Sequence, residues 1–407
     1  MFGWGLRLGN QKKSGGSGGT APVNTVAPTI SANAVVGQTI TSTNGTWTGT
    51  ATITFTYQWY YADTSTSIVG ATSSTYVVQS ADLAHTIKLV VTGTNGVGNS
   101  SANSNTSAFV VPSYMTNGAS WGLQSTTTSN QVYVNKTSYA TIAAAVTASV
   151  ITASTSVTNV VTSTGSVTSI AANTIPMVDL GALIEPAHTN YIKYSAGNFN
   201  TSPWFKNNMT VADNTIVAPD GTTTAATLTT TATGINDNIY QTLSGITSSA
   251  SYSTTFSVWL KVPSGTLSFG LSATSAGTPS IATTSCALTT TWQRFSVTLA
   301  AATASPGSTM YAAVGQGASY TSGQVIHVWG VNYEQNYESS YIGVGSSTPV
   351  TRANCVITVF PPAATYNIVV TLNDSSTEVY NSQVVTSSGW AIPTRTNGLY
   401  VTLIVAT

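Results

Sequence analysis

Charge is what this chain has least of. Eleven basic and eleven acidic side chains among 407 residues amount to 5% and cancel, against about a quarter in an ordinary soluble protein. No long-range field of either sign is left to steer nucleic acid or an anionic membrane surface, so neither is an expected partner. Neutral Ser, Thr, Asn and Gly have to keep the surface wetted, and near zero net charge a free monomer tends to associate. That suits a chain built into an assembly, and homo-oligomerisation is the expectation.

Cysteine is nearly missing as well. Cys286 and Cys355 are the only two, too few for a disulfide framework. A bridge between them stays open beside the favoured reading of two small buried thiols. No apolar run reaches the length of about 18 residues that a membrane-crossing helix needs, so no membrane insertion is expected. The opening Met1-Phe-Gly-Trp-Gly-Leu-Arg-Leu-Gly-Asn10 has no basic region leading into a long apolar core, and cytoplasmic synthesis is the expectation.

Groups that do chemistry are just as thin. His85, His188 and His327 fall in three separate motifs, no Cys/His/Asp set has zinc spacing, and no Asp-rich calcium loop is visible. No cofactor is assigned, and calcium stays open without named ligands. Glycoside hydrolysis needs two carboxylates facing one cleft. Asp179, Glu185, Glu334 and Glu338 are the candidates, with the Glu334 carboxylate expected to meet backbone or Arg352. They form no convergent set, so no catalytic residue is assigned and no enzymatic activity is expected.

What is abundant is Thr, Ser, Ala, Val and Gly. Branching at Cβ favours a pleated, half-buried surface over long helices, so the fold class read here is all-β, with tandem β-sandwiches. Residues 1–20 pair a short hydrophobic segment with a Gly/Ser linker. Phe2, Trp4, Leu6 and Leu8 alternate at period two, which puts all four on one side of an extended strand. On a flexible tether, such a strand is a natural anchor that docks by strand addition to another protein's sheet edge.

Residues 21–112 repeat strand-plus-turn signals: Gly45-Thr-Trp-Thr-Gly49, Phe55-Thr-Tyr-Gln-Trp59, Ile68-Val-Gly-Ala-Thr72 and Val91-Thr-Gly-Thr-Asn-Gly96. Tyr57 and Trp59 share one side of a strand, Trp59 is the expected centre of the core, and Asp82 and Tyr76 suggest a corner hydrogen bond. Residues 113–180 form a β-rich connector, either a strand-rich stalk or a subunit contact, with Ala143–Ile151 read as β-prone. Residues 181–353 read as a second sandwich. It is bracketed by Gly181-Ala-Leu-Ile-Glu-Pro-Ala-His-Thr-Asn-Tyr-Ile192 at its start and Val328-Trp-Gly-Val-Asn-Tyr-Glu334, Ser340-Tyr-Ile342 and Thr351-Arg-Ala353 at its end. Phe256, Val258 and Leu260 face inward on its central strand, and Trp259 faces the other way. Residues 354–407 read as a small C-terminal β-domain with a buried last strand.

The 21–112 motifs closely resemble bacterial and phage immunoglobulin-like repeats, with Phe55 and Gly93 standing where those repeats carry Tyr and Ala. The motifs of 181–353 resemble a carbohydrate-binding-module-like jelly roll found in tailed-phage virion accessory proteins of the head fibre, spike or decoration type. The resemblance implies a non-enzymatic virion structural protein, a head fibre or spike, decoration protein or tail-associated fibre, made in the host cytoplasm. It would attach to other virion proteins (capsid, portal/neck or tail) through its N-terminal segment, and adhere weakly and multivalently to host surface glycans. A bacterial secreted or surface carbohydrate-binding adhesin is the alternative. Trp204, Tyr240, Trp259, Trp292 and Tyr320 are the candidate glycan contacts, since sugar sites pair aromatic platforms with neutral hydrogen-bonding groups. Against this stands the bland reading that alternating Trp residues fill the core.

Overall fold

The computed structural model describes residues 18–407 except 117–118, 126–129, 135–136, 157, 235–236, 248–250, 276–280, 302–308, 317–318 and 397. The expected anchor residues Phe2, Trp4, Leu6 and Leu8 lie outside the described residues. Those described form β-strands almost throughout, with one six-residue α-helix, Ile142–Thr147. The chain divides into two compact units. One lies within Met1–Ser120 and takes Lys136–Ser138; the other is Trp121–Asn135 with Tyr139–Thr407.

In the first unit, Thr29–Ile30, Thr39–Thr43 and Thr75–Val77 form one antiparallel sheet. Thr66–Ser67, Thr54–Tyr61, Ile87–Asn95 and Gly98–Asn103 form another. Along Ile87–Asn95 burial alternates residue by residue, as it must in a strand packed on one face. Trp59 is fully buried among Ile40, Ile87 and Leu89, and its indole N–H donates to Ser73 O at 2.8 Å. The corner bond is present in doubled form. The Tyr76 and Tyr61 hydroxyls donate to the two oxygens of buried Asp82, each at 2.8 Å, and Gln79 N adds a third bond at 2.7 Å.

The second unit holds a sandwich of two five-stranded antiparallel sheets. One runs in the order Trp204–Asn207, Asn238–Thr247, Thr309–Val314, Leu267–Ser275, Ile281–Leu288. The other runs Met209–Ile216, Ala225–Thr230, Val325–Gln335, Thr254–Lys261, Gln293–Leu299. Phe256, Val258 and Leu260 point into the shared core with Leu271, Val314 and Val328. Trp259 points away from it and is still buried, against Trp329, Tyr341 and Val167. The hairpin of Thr158–Val161 and Val167–Ile170 and the Tyr341 segment therefore cover the outer side of the second sheet. The strand Val325–Gln335 bulges opposite Trp259, at Gly330. There φ is +64°, and a Cβ would come within 2.9 Å of the Trp259 ring, so only glycine fits.

The rest of this unit includes a three-stranded sheet, Ile151–Ser154 with Val356–Val359 and Trp390–Ala391, packed over a common core with a larger sheet. Its central strand Tyr400–Ala406 pairs with Trp121–Ser125 and Gly181–Leu183 and, through another set of bonds, with Ala364–Leu372. The segments read from sequence as a connector and a separate C-terminal domain are thus neighbouring strands, over a core that includes Trp121, Ile151, Ile357 and Ile404. Neither could bury its apolar side alone. Part of the Ala143–Ile151 run is helical rather than extended: Thr141 caps it by accepting from Ala144 N at 3.1 Å, and alanine is the best helix former. Cys286 and Cys355 are free, buried and in different cores. Burial pushes both thiols up to about 12, which leaves them unreactive at neutral pH.

Replacing Asp82 with Ala strands two phenols and a backbone N–H, and should cost about 2–4 kcal/mol, measured by urea unfolding of the full chain. Burial, then the Asp82 bond, raises Tyr61 from 10.0 to about 12. Its folded value thus lies above its unfolded one, so this stabilisation is complete below pH 10 and is lost as pH rises through about 12. Melting temperature should fall across that window less steeply in Tyr61→Phe than in wild type.

Candidate functional site

The sandwich buries most of the aromatics that the sequence offers as sugar platforms. Trp204 is 4% exposed, packs on Phe199, and donates its indole N–H toward Lys193 O and Tyr194 O. Trp259 is 2% exposed and sits under the Arg294 guanidinium, 4.5 Å from the ring centroid. Tyr320 is 1% exposed, packs tilted against Phe269, and accepts from Gly270 N at 2.7 Å. These three have no free ring face, so the glycan-contact expectation fails for them. Alternation assigns a side chain to one face of a strand, and cannot say that a distant hairpin covers that face. Trp292 is half-buried, its indole donating to Val217 O at 3.0 Å and its ring lying under Lys261.

Tyr240 is different. It stands on the outer side of the first sheet and stacks on Phe205 of the edge strand, with centroids 5.1 Å apart and planes 19° from parallel. Phe205 is 50% exposed. The sequence reading missed it, although a signal was there: Trp204 and Phe205 are adjacent on a strand, so if one is core the other faces out. Strand register continues the row from Phe205 and Tyr240 through Ala313 and Ser272 to Thr283. The next row on this side holds Thr242, Tyr311, Thr274 and Ile281. Ser272 Oγ donates to the Gln316 side-chain oxygen at 2.9 Å. Ala313 and Ser272 in the middle of the first row are buried, so what this side opens to solvent is the aromatic pair at one edge, with Thr242, Thr274 and Thr283, the Gln316 amide, Tyr311 and Ile281 beside it. Such a surface can stack on the apolar side of a sugar ring and exchange hydrogen bonds with its hydroxyls.

The acids are engaged elsewhere. Glu185 lies 2.6 Å from the Arg352 guanidinium and accepts from Ser340 N at 3.0 Å. Of the two partners expected for Glu334, a backbone N–H is present and Arg352 is not, being paired with Glu185. Glu334 takes the His188 imidazole at 2.9 Å, Ser339 N at 3.1 Å and the Ser339 hydroxyl. Glu338 pairs with Arg294 at 2.8 Å. Asp179 binds Ser163 through backbone and hydroxyl, bonds that hold its carboxyl below the usual range. The histidines stay apart: His85 pairs with Asp63, His188 with Glu334, and His327 with Thr227. Burial, with Lys261 nearby, lowers His327.

Among the described residues no group of three or more His, Cys, Asp or Glu side chains is arranged to hold a metal. Asp237 is fully buried with neither carboxylate oxygen hydrogen-bonded, but one acid is too few ligands for calcium.

No family model matches the chain, and no curated protein does. Among solved structures it is similar to the enzymatically active domain of a bacteriophage CBA120 tailspike protein, at 15% identity and a TM-score of 0.27, over 36% of this chain and 21% of that one. It is also similar to the CBM22-1 xylan-binding domain of Paenibacillus barcinonensis Xyn10C, at 10% identity and 0.27, over 40% and 100%. A third is the family 11 carbohydrate-binding module of Clostridium thermocellum Lic26A-Cel5E, at 9% and 0.23, over 35% and 92%. Likeness at this level assigns neither ligand nor activity.

Arg352→Met leaves Glu185 charged and unpaired in the interior. It should destabilise the second unit by about 3–5 kcal/mol, read as a shifted midpoint in urea denaturation of the full chain.

Proposed function

We propose that this chain is a non-enzymatic adhesive component of a phage particle, of the head fibre, spike, decoration or tail-associated fibre type, and that its second unit binds neutral glycans. The observation that carries the glycan reading is the stacked, solvent-facing Phe205–Tyr240 pair on a sheet side that also presents the hydroxyls of Thr242, Thr274 and Thr283. Two near-parallel rings open to solvent give this side a flat aromatic platform of the kind a sugar ring stacks on. The non-enzymatic reading is supported by the engagement of the acids: Glu185 and Glu338 pair with Arg352 and Arg294, and Glu334 is hydrogen-bonded to His188 and Ser339.

The mounting on a larger particle is supported by the sequence. The near-zero charge favours association, and the alternating apolar residues ahead of a Gly/Ser tether suit docking by strand addition. One aromatic pair holds a sugar weakly, so useful adhesion comes from many copies acting together, a gain of about 10²–10⁴ over the single site.

A glycan array probed with bead-displayed full chain should give signals for neutral glycans. The double variant Phe205→Ala/Tyr240→Ala should lose at least about tenfold in apparent affinity while melting as wild type does. Signals that ignore this variant would sink the face as the site, and release of reducing sugar from a bound glycan would sink the non-enzymatic reading. Immunogold electron microscopy of particles, with antibody raised to this chain, tests the mounting separately.

A further inference from the structure

A groove of about 430 Å³ opens in the second unit between the segment carrying Pro186 and His188, the turn after Gln335, and Thr351. This is a size that takes a small molecule. It shares no residue with the Phe205–Tyr240 face.

Its construction follows from one strand pairing. His188–Asn190 runs antiparallel to Val350–Arg352, which sets Thr189 opposite Thr351, with their hydroxyls 2.7 Å apart. The same pairing turns His188 inward, where it is only 8% exposed. There Nδ1 lies 2.9 Å from Glu334, a fully buried carboxylate. A carboxylate accepts, so Nδ1 carries the hydrogen and Nε2 is the ring nitrogen left for a ligand. The ring is also clamped face to face on Tyr337, at 4.2 Å and 29°. Neither His188 Nε2 nor the Tyr337 hydroxyl has a hydrogen-bond partner among the described residues, and both residues line the groove.

The lining carries no Asp, Glu, Lys or Arg. An inorganic cation would find no carboxylate there and an anion no guanidinium or ammonium. What the lining does offer is an oriented imidazole nitrogen, the phenols of Tyr191 and Tyr337, two threonine hydroxyls, and the amides of Gln335 and Asn336. We propose that this groove binds one ring of a neutral sugar, a ring hydroxyl hydrogen-bonded to His188 Nε2 and the Tyr337 side stacking or hydrogen-bonding beside it. The buried Glu334 acts as a positioning residue that fixes the imidazole and touches no ligand.

The test uses the full chain with nitrogen-labelled histidine, titrated with methyl glucoside, methyl galactoside and methyl mannoside, while His188 ring resonances are followed by NMR. At least one glycoside should move them saturably. Asn336→Gly removes an amide at a position whose φ of +68° glycine accepts, and Tyr337→Leu removes the clamp. Each should weaken the response about tenfold, the equivalent of one hydrogen bond. The Phe205→Ala/Tyr240→Ala variant should leave the response intact, which separates this groove from the sheet face. The proposal is overturned if none of the three sugars moves His188, if the response survives both groove substitutions, or if it disappears with the sheet-face variant.

Discussion

Glu185 and Glu334 are buried in a chain that has only 5% charged residues, and a carboxylate taken out of water costs several kcal/mol unless donors surround it. Both are surrounded. Arg352 and Ser340 serve one, and His188, Ser339 and Asn332 serve the other. The donors come from segments about 150 positions apart in sequence. Buried Asn190 adds to the same seam, donating to Val331 O and Ile342 O and accepting from Ile192 N and Tyr333 N. The bonds from Arg352 and Ser340 to Glu185, from His188 to Glu334 and from the Asn190 amide N–H are made only when the opening and closing segments of the sandwich meet, so the seam specifies that closure as well as stabilising it.

Closure has a consequence for the sheets. Tyr341, brought in by the seam, joins Val161 and Val167 over Trp259 and Trp329. The outer side of the second sheet thereby becomes a second small core. The first sheet has no such cover over Phe205 and Tyr240. The two outer faces therefore differ, one layered over by a second core and the other open at Phe205 and Tyr240.

The scarcity of charge and the character of both candidate surfaces have a common physical basis. A surface of Thr, Ser, Asn and Tyr is hydrated by short-range hydrogen bonds, and its interactions respond little to ionic strength. Partners of the same kind, neutral and rich in hydroxyls, match it without a desolvated charge on either side.

Much of the molecule was legible without coordinates. The all-β class, the buried Trp59, the inward Phe256, Val258 and Leu260, and the Asp82 corner all follow from side-chain branching, period-two alternation and turn chemistry, which act within a few residues. The helix at Ile142–Thr147 was overlooked because its cap is a single threonine. The sheet shared by the 121–125 and 400–406 strands, the exchange of partners that gave His188 rather than Arg352 to Glu334, and the burial of Trp204, Trp259 and Tyr320 were decided only by tertiary structure. Alternation tells which side of a strand a residue takes. Whether that side meets water or another layer depends on chain more than a hundred residues away, and no local pattern carries that information.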